Sequence, residues 1–532
     1  MGLNKDSQLG FHRSRKDKTR GYEYVLEPSP VPLPLHRPQE TQVLQVSCGR
    51  AHSLVLTDGE GVFSIIFVWG FSFSGALGVP TFVLPSSGPH PHAGLRPRRR
   101  IQCVPYRLEL DQKISSAACG YGFTLLSSKT RDVTKVWGMG LNKDSQLGFH
   151  RSRKDKTRGY EYVLEPSPVP LPLHRPQETQ VLQVSCGRAH SLVLTDGEGV
   201  FSMGNNSYGQ CGRKVVENEI YSESHKVHRM QDFDGQVVQV ACGQDHSLFL
   251  TDKGEVYSCG WGADGQTGLG HYNITSTPTK LGGDLAGVNV VQVATYGDCC
   301  LAVSADGSLF GWGNSEYLQL ASVTDSTQVN VPRRLPFSGV GQVKQAACGG
   351  TGCAVLNGEG HVFVWGYGIL GKGPNLVETA LPEMIPPTLF GLTELNPEVR
   401  VSRIRCGLSH FAALTDRGEL FVWGKNIRGC LGIGRGVWCG SHGDSGQVIR
   451  LSRLPDPLEP SPGLRTTGTV QQRRLRGPVQ RARSPAACGR RGGRTALGTL
   501  TLAPRRDCTT VSGATSGLKK SLPFAAGHVP AS

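Results

Sequence analysis

Histidines and cysteines are the residues in this sequence whose types and spacing could do chemistry. The motif Cys-Gly-x-x-His occurs four times, as Cys48 with His52, Cys186 with His190, Cys242 with His246, and Cys406 with His410. Imidazole and thiol groups can act as general bases, as nucleophiles or as metal ligands. A motif that recurs at regular intervals is better explained as a structural device, in which the imidazole bridges a strand backbone to a neighbouring turn. The sequence therefore predicts no catalytic residue.

The spacing of the 16 cysteines indicates burial rather than metal binding. A disulfide needs two Cα atoms within about 7 Å, and equivalent positions of neighbouring repeats lie farther apart. There is no Cys-x-x-Cys pair and no Cys/His group at zinc spacing, so neither a metal site nor a cofactor is predicted. Cys299 and Cys300 are adjacent and could be a redox-active pair, but packing in the core is the preferred interpretation. Six cysteines precede a glycine at one equivalent position: Cys48, Cys119, Cys186, Cys242, Cys348 and Cys406.

Other signatures of enzymes and membrane proteins are missing from the sequence. No nucleophile elbow, His-Glu-x-x-His motif, phosphate-binding loop or pair of carboxylates at catalytic spacing occurs. No stretch reaches 18 apolar residues, so no transmembrane segment is predicted. The sequence therefore predicts a protein that acts by binding and is not an enzyme.

Two kinds of internal repeat are present. Residues 1–64 return unchanged at residues 139–202, which indicates a recent duplication or an assembled transcript. A shorter and more diverged unit occurs seven times, as in "VVQVACGQDHSLFLTDKGEVYSCGWGADGQTGLG" at residues 237–270. Its first anchor positions are Cys48, Cys119, Cys186, Cys242, Tyr296, Cys348 and Cys406.

Each short unit alternates apolar runs with Asp-Gly and Lys-Gly turns, which is typical of antiparallel strands joined by tight turns. Because one four-stranded sheet of this size cannot bury both faces, seven sheets must stack around an axis. The sequence predicts an all-β fold, a seven-bladed β-propeller at residues 42–435. Residues 1–41 are predicted to be a loosely attached duplicate, and residues 436–532 a disordered basic tail rich in Pro, Gly and Arg. The recurring tryptophans are predicted to pack between blades: Trp69, Trp137, Trp261, Trp312, Trp365 and Trp423.

Three insertions between the repeats are longer than a blade connection requires, and they are the candidate contact loops. They cover residues 79–112, 149–180 and 213–236. The second insertion is the strongest candidate, because a run of basic residues precedes two tyrosines. Such a segment suits an acidic protein surface or an RNA backbone with stacked bases, although a solvated loop is an equal alternative. The predicted partner-binding residues are Arg151, Arg153, Lys154, Lys156, Arg158, Tyr160 and Tyr162.

The repeat motif resembles that of the regulator of chromosome condensation family over residues 42–435. The segments "FVWGFSFSGALGVP" and "MGNNSYGQCGRKVVENEIYSESH" are similar to the mitochondrial branch of that family. The resemblance implies a guanine nucleotide exchange factor that binds a mitochondrial GTPase of the dynamin-like fusion type. The alternative is an RNA-binding scaffold for assembly of the mitochondrial ribosome, with ribosomal RNA or assembly factors as partners.

The same resemblance implies a mitochondrial location and allows peripheral association with the inner membrane. The first residues of this chain do not have the composition of a transit peptide, because Asp6 and Asp17 interrupt the basic run, so the cytosol is the alternative location.

The duplicated segment also raises the question of how the ring closes. A propeller with an open ring leaves sheet edges with unpaired N–H and C=O groups. We predict that residues 43–63 form the first strands of the blade that contains Trp69 and lie against the blade of residues 419–432.

Overall fold

The structure is a computed structural model of the full chain. It describes residues 24–35, 41–58, 65–72, 74–78, 81–82, 96–97, 101–108, 110–149, 162–221 and 226–433. The chain divides into two compact units, Met1–Gly443 and Asp444–Ser532, and the second unit lies outside the described residues. The predicted disordered tail at residues 436–532 therefore also lies outside them.

The described residues form seven four-stranded antiparallel sheets, and the prediction of an all-β, seven-bladed propeller is confirmed. The first strands surround a central channel of about 220 Å³. From the channel outward, the strands of blade 1 are Val43–Cys48, His52–Thr57, Ile65–Phe71 and Ile101–Leu108, and those of blade 2 are Ile114–Cys119, Phe123–Ser128, Val136–Leu141 and Tyr162–Pro168. The strands of blade 3 are Val181–Cys186, His190–Thr195, Val200–Gly204 and Val227–Met230. Those of blade 4 are Val237–Cys242, His246–Thr251, Val256–Gly260 and Thr275–Lys280.

Blades 5 to 7 follow the same order. Their strands are Val290–Thr295, Cys299–Ser304, Leu309–Asn314 and Gln328–Arg334; Val343–Cys348, Gly352–Asn357, Val362–Tyr367 and Glu378–Met384; and Val401–Cys406, His410–Thr415, Leu420–Lys425 and Tyr24–Pro30. Thr81–Phe82 pairs with Arg96–Pro97 outside the blades. Short 3₁₀ helices lie at Gly283–Leu285, Ser338–Val340, Pro387–Phe390 and Ile427–Gly429. Among the described residues, no helix is long and apolar enough to cross a bilayer.

Stacking explains why the inner strands are so apolar. Every residue of the second strands His52–Thr57 and His190–Thr195 is buried, because neighbouring blades cover both faces of the sheet. Four of the six recurring tryptophans are fully buried, as predicted: Trp69, Trp312, Trp365 and Trp423. Trp137 is partly buried. Trp261 departs from the prediction, since it follows the third strand of blade 4 and its ring lies 4.5 Å from that of Tyr208, tilted by 57°, at the end of the blades.

Glutamines on the first strands join neighbouring blades. The side-chain amide of Gln183 donates to the Val240 carbonyl at 2.9 Å, and its oxygen accepts from the Val240 N–H at 3.0 Å. Gln239 makes the same pair of bonds to Val293 in the next blade, at 2.8 and 3.0 Å. One glutamine side chain thus satisfies both the N–H and the C=O of a residue on the first strand of the next blade. The edge of that strand that faces the channel is paired with no other strand. Gln45 and Gln292 make equivalent pairs.

The first copy of the duplicated segment closes the ring. His52–Thr57 pairs in antiparallel register with the strand that carries Trp69, with Ser53 opposite Trp69, and Val43–Cys48 pairs with the other edge of His52–Thr57. The indole N–H of Trp69 donates to the Cys430 carbonyl of blade 7 at 2.8 Å. The prediction is therefore confirmed for residues 43–58, whereas residues 59–63 lie outside the described residues.

Residues 24–30 differ from the prediction that residues 1–41 are loosely attached. Tyr24–Pro30 is the fourth strand of blade 7, with Tyr24 opposite Lys425 and Pro30 opposite Phe421. Val25 and Val31 are buried in the core of that blade. The physical reason is that the third strand of blade 7 would otherwise present an unpaired edge.

Candidate partner-binding face

The Cys-Gly-x-x-His motif places an imidazole between two blades. His52 Nε2 lies 2.9 Å from Thr124 Oγ1 of blade 2, and His190 Nε2 lies 3.0 Å from Ser247 Oγ of blade 4. His410 Nε2 of blade 7 lies 3.0 Å from Ser53 Oγ of blade 1, where the ring closes. His246 reaches Thr295 Oγ1 at 3.1 Å and Cys300 Sγ at 3.2 Å in blade 5.

Three of these hydroxyl groups in turn donate a hydrogen bond to a carbonyl group in a loop. Ser247 Oγ donates to the Gln210 carbonyl at 2.7 Å, so it accepts from the imidazole of His190, which must carry its proton on Nε2. Thr124 and Ser53 donate in the same way, to the carbonyls of Ala76 and Cys430. The imidazole therefore bridges to the neighbouring blade through a hydroxyl, a detail that the predicted strand-to-turn bridge did not include.

Burial keeps these histidines neutral. It lowers the pKa of His190 and His246 to about 3 and that of His52 and His410 to about 4. A base that is neutral, enclosed and already hydrogen-bonded is unsuited to proton transfer with a substrate.

The cysteines of the motif line the central channel. Cys186, Cys242 and Cys406 are buried at the ends of first strands, and burial raises the pKa of Cys242 to about 12. Burial also raises the pKa of Cys186 and Cys406 well above the usual range. They remain thiols near neutral pH, and a thiol is a poor nucleophile.

One end of the propeller carries a continuous surface, which we call the turn face. Because the strands alternate in direction, the turn between the first and second strands and the loop between the third and fourth strands leave a blade at the same end. Among the described residues, the turn face therefore comprises the turns between first and second strands and the described parts of the loops that follow the third strands.

The side of the turn face formed by blades 4 and 5 is acidic. Asp245 and Asp298 lie in the two turns, and Asp264 and the exposed Glu316 lie in the two loops. Asp298 accepts hydrogen bonds from the side-chain amides of Gln244 at 2.8 Å and Gln266 at 3.2 Å. Burial, together with the nearby Asp264, raises the pKa of Asp298 to about 6. Asp245 is held by Arg188 of blade 3, with a closest N–O distance of 2.6 Å.

On the opposite side, formed by blades 7, 1 and 2, three cations are exposed among the described residues, and Asp144 lies next to one of them. The exposed Arg50 lies over the ring of Tyr121, 5.5 Å from its centroid, and the exposed Arg428 lies 3.8 Å from the centroid of Phe71. Lys143 is exposed in the loop of blade 2. The face thus has a negative and a positive half, an arrangement that can orient a partner with complementary charges.

A cavity of about 300 Å³ opens on the turn face between blades 6 and 7. Gly352 takes the place of the histidine at this junction, and the ring of Phe411 lies against it, with Cζ 2.9 Å from the position of an added Cβ. Tyr317, Tyr367 and Tyr24 contribute to its wall, the last from the closing strand. A cavity with an aromatic wall can receive an apolar side chain of a partner protein.

The predicted basic segment lies mostly outside the described residues. Arg151, Arg153, Lys154, Lys156, Arg158 and Tyr160 are not described. Tyr162 begins the fourth strand of blade 2, opposite Leu141. Leu141 ends the third strand, so the segment connects two strand ends at the turn face. These seven residues remain a prediction.

Sequence reasoning did not identify the acidic half or the cavity. Asp245 occupies a variable position inside the Cys-Gly-x-x-His motif, and Asp298 occupies the equivalent position of blade 5, where the sequence is Thr-Tyr-Gly-Asp-Cys. A linear reading treated this turn as purely structural. The available signal was the identity of the residues between the glycine and the histidine, because those residues lie in the turn between the first and second strands.

Comparisons with known proteins give the family. The RCC1-like domain family matches residues 1–351, and the regulator of chromosome condensation (RCC1) repeat matches residues 401–430. The human RCC1-like G exchanging factor-like protein is 93% identical over 370 residues, which cover 70% of this chain and 80% of the human one.

A solved structure and a plant relative extend the comparison. The crystal structure of human WBSCR16 superposes with a TM-score of 0.66 at 90% identity, covering 70% of this chain and 92% of the other. The mitochondrial RCC1 domain-containing protein RUG3 of Arabidopsis thaliana is 28% identical over 382 residues, which cover 69% of this chain and 79% of the relative. On the repeat motif, the seven blades and these matches, the chain belongs to the RCC1-like family of β-propeller proteins.

Proposed function

We propose that this propeller is an exchange factor that acts on a mitochondrial GTPase of the dynamin-like fusion type. The observation that carries the proposal is its 93% identity to the human RCC1-like G exchanging factor-like protein. The GTPase class and the mitochondrial location come from the resemblance of the repeat segments to the mitochondrial branch of the family. The relative RUG3, whose name describes it as mitochondrial, supports that location.

The proposed mechanism needs no catalytic side chain. An exchange factor binds the nucleotide-free GTPase more tightly than the nucleotide-bound form, so the affinity for nucleotide falls by the same coupling free energy. The factor has to supply a rigid surface with differential contacts. Seven blades joined by imidazole and glutamine bridges provide such a surface.

The turn face is the surface that we assign to the partner. Its acidic half, which includes Asp264 and Glu316, would attract basic residues of the GTPase, and its basic half would fix the orientation of the complex. The cavity between blades 6 and 7 would receive an apolar anchor residue at one edge of the contact.

The test is release of a fluorescent GDP analogue from purified mitochondrial dynamin-like GTPase. The full chain should accelerate release in a concentration-dependent manner. The double variant Asp264→Lys with Glu316→Lys should reduce the stimulated rate of GDP release about tenfold at low ionic strength, because it reverses the charge that steers association of the two proteins. The matched control is Glu359→Lys, an exposed acid in a turn at the opposite end of blade 6.

The alternative function is an RNA-binding scaffold for assembly of the mitochondrial ribosome. It is favoured by the basic run that ends at Arg158, followed by Tyr160 and Tyr162. If the full chain does not accelerate nucleotide release over a wide concentration range, the exchange function is wrong and this alternative is retained. Equal rates for the double variant and the control would instead exclude the turn face as the contact surface.

A further inference from the structure

Three cysteines converge between blades 5 and 6. Cys299 begins the second strand of blade 5, Cys348 ends the first strand of blade 6, and Cys353 lies on the second strand of blade 6. Their sulfur atoms all lie within 4.8 Å of one another, and the residues are 1%, 3% and 0% exposed. Cys348 and Cys353 are directly opposite in the antiparallel register.

The cluster occupies the place of an imidazole bridge. At the junction of blades 3 and 4, His190 begins its second strand and bonds to Ser247, the second residue of the neighbouring second strand. At the junction of blades 5 and 6, Cys299 stands where the histidine would be and Cys353 where the hydroxyl would be. The cysteine of the Cys-Gly motif, Cys348, adds a third sulfur. One polar contact is thus replaced by three soft donor atoms.

The chemistry of three thiols favours a soft metal ion. Thiolate sulfur selects Cu(I) and Zn(II) over harder cations. Three sulfurs bound at about 2.3 Å in a plane are about 4 Å apart, a spacing that the cluster permits. A structural zinc site needs a fourth ligand, and among the described residues the group contains three. Trigonal coordination, which Cu(I) accepts, therefore fits better.

We propose that Cys299, Cys348 and Cys353 form a binding site for one Cu(I) ion, which links blades 5 and 6. The metal takes over the role that the imidazole has at the four junctions bridged by His52, His190, His246 and His410. Each cysteine that binds as a thiolate releases one proton to solvent. Cys348 lines the central channel, which gives the ion a path from solvent.

The test is an anaerobic titration of the reduced full chain with Cu(I) held by the coloured chelator bicinchoninate. Cys439, Cys488 and Cys508, which lie outside the described residues, are replaced by serine throughout so that they do not bind copper. One equivalent of Cu(I) should move to the protein. X-ray absorption should then show about three sulfur neighbours at about 2.3 Å.

Variants separate the site from the other thiols. Cys353→Ala should weaken Cu(I) binding by about 100-fold or more, since one of three ligands is lost. Cys186→Ala is the matched control, because Cys186 occupies in blade 3 the position of Cys348 in blade 6, and it should bind as the parent does. If Cys353→Ala does not fold, as judged by circular dichroism, Cys353→Ser supplies the residue that Ser247 provides at the other junction.

Three results would overturn the proposal. They are no transfer of Cu(I) to the parent chain, equal binding by the Cys353 variant and the parent, and a disulfide between Cys348 and Cys353 in protein purified without reductant.

Discussion

At the scale of single residues, the structure explains why glycine precedes the two variable positions of the Cys-Gly-x-x-His motif. The imidazole of His190 lies directly against Gly187, so that a Cβ added there would be 2.5 Å from His190 Cε1 and 2.6 Å from the Gly243 carbonyl oxygen. The corresponding distance from a Cβ at Gly407 to His410 Cε1 is 2.3 Å. The glycine is needed for close approach of the ring and of the next blade.

This geometry makes Gly187→Ala strongly destabilising. The added methyl group must displace a buried ring or the backbone of blade 4, which costs about 1–3 kcal/mol of overpacking, plus about 1 kcal/mol for the hydrogen bond to Ser247. The control is Gly197→Ala in the same blade, where nothing lies within 4 Å of the added Cβ. Urea unfolding of both variants measures the difference. Equal midpoints would contradict the assigned role of the motif.

The sequence predicted the structural role of the histidines only in part. Their recurrence at one position of the repeat was a sufficient reason to assign them to the scaffold. Their partners could not be read from the chain, because His190 and Ser247 are 57 residues apart and meet only when the blades stack. The same limit hid the group formed by Cys299, Cys348 and Cys353.

At the scale of secondary-structure elements, the duplicated segment closes the ring because it spans the boundary between two blades. In its second copy, Tyr162–Pro168 is the fourth strand of blade 2, and the next strands begin blade 3. In its first copy, Tyr24–Pro30 is the fourth strand of blade 7, and the next strands begin blade 1. Both copies pair with an irregularity at the same residues, between Val25 and Ser29 and between Val163 and Ser167. Identical sequence therefore takes identical structure at two places in the ring.

The sequence predicted the inner strands of this copy because an apolar run and the motif mark them directly. The strand Tyr24–Pro30 was missed, since its sequence YVLEPSP contains two prolines and no long alternation. Such a strand is tolerated at the outer edge of a sheet, where only one side needs backbone donors. Its pairing is determined by the free edge of blade 7 rather than by its own pattern.

Removal of residues 1–35 should open the ring at blade 7. The deletion exposes the backbone of Leu420–Lys425 and removes Val25 and Val31 from the core, a loss of about 3 kcal/mol or more. We expect a lower unfolding midpoint in urea and concentration-dependent association through the free edge in size-exclusion chromatography. A deletion of residues 1–23 keeps the strand and is the control. If the two deletions behave alike, Tyr24–Pro30 does not close the ring.

At the scale of the whole molecule, four buried imidazoles make the stability of the ring depend on pH. Burial lowers the pKa of each to about 3 or 4 in the folded state, whereas an unfolded chain binds these protons near pH 6.5. The stability from these groups is complete above pH 6.5 and is lost as the pH falls toward 4. Asp298 acts in the opposite sense, because its raised pKa of about 6 means that the folded state takes up its proton first. Between pH 6 and 4, the four imidazoles therefore destabilise the ring and Asp298 opposes them.

The contribution of one imidazole can be isolated by His190→Gln, whose side-chain amide can still donate to Ser247. The free energy of unfolding in urea should fall between pH 7 and pH 5 for the parent chain. For the variant the fall should be smaller by about 2 kcal/mol, because one unfolded-state proton is no longer taken up over the 1.5 pH units below about 6.5. His174→Gln, at an exposed position, should reproduce the profile of the parent. A fall of the same size in all three proteins would show that His190 is accessible to protons in the folded ring, and the neutral imidazole bridge would then be wrong. A smaller fall in the His190 variant alone would place the acid sensitivity of the propeller at the junctions between its blades.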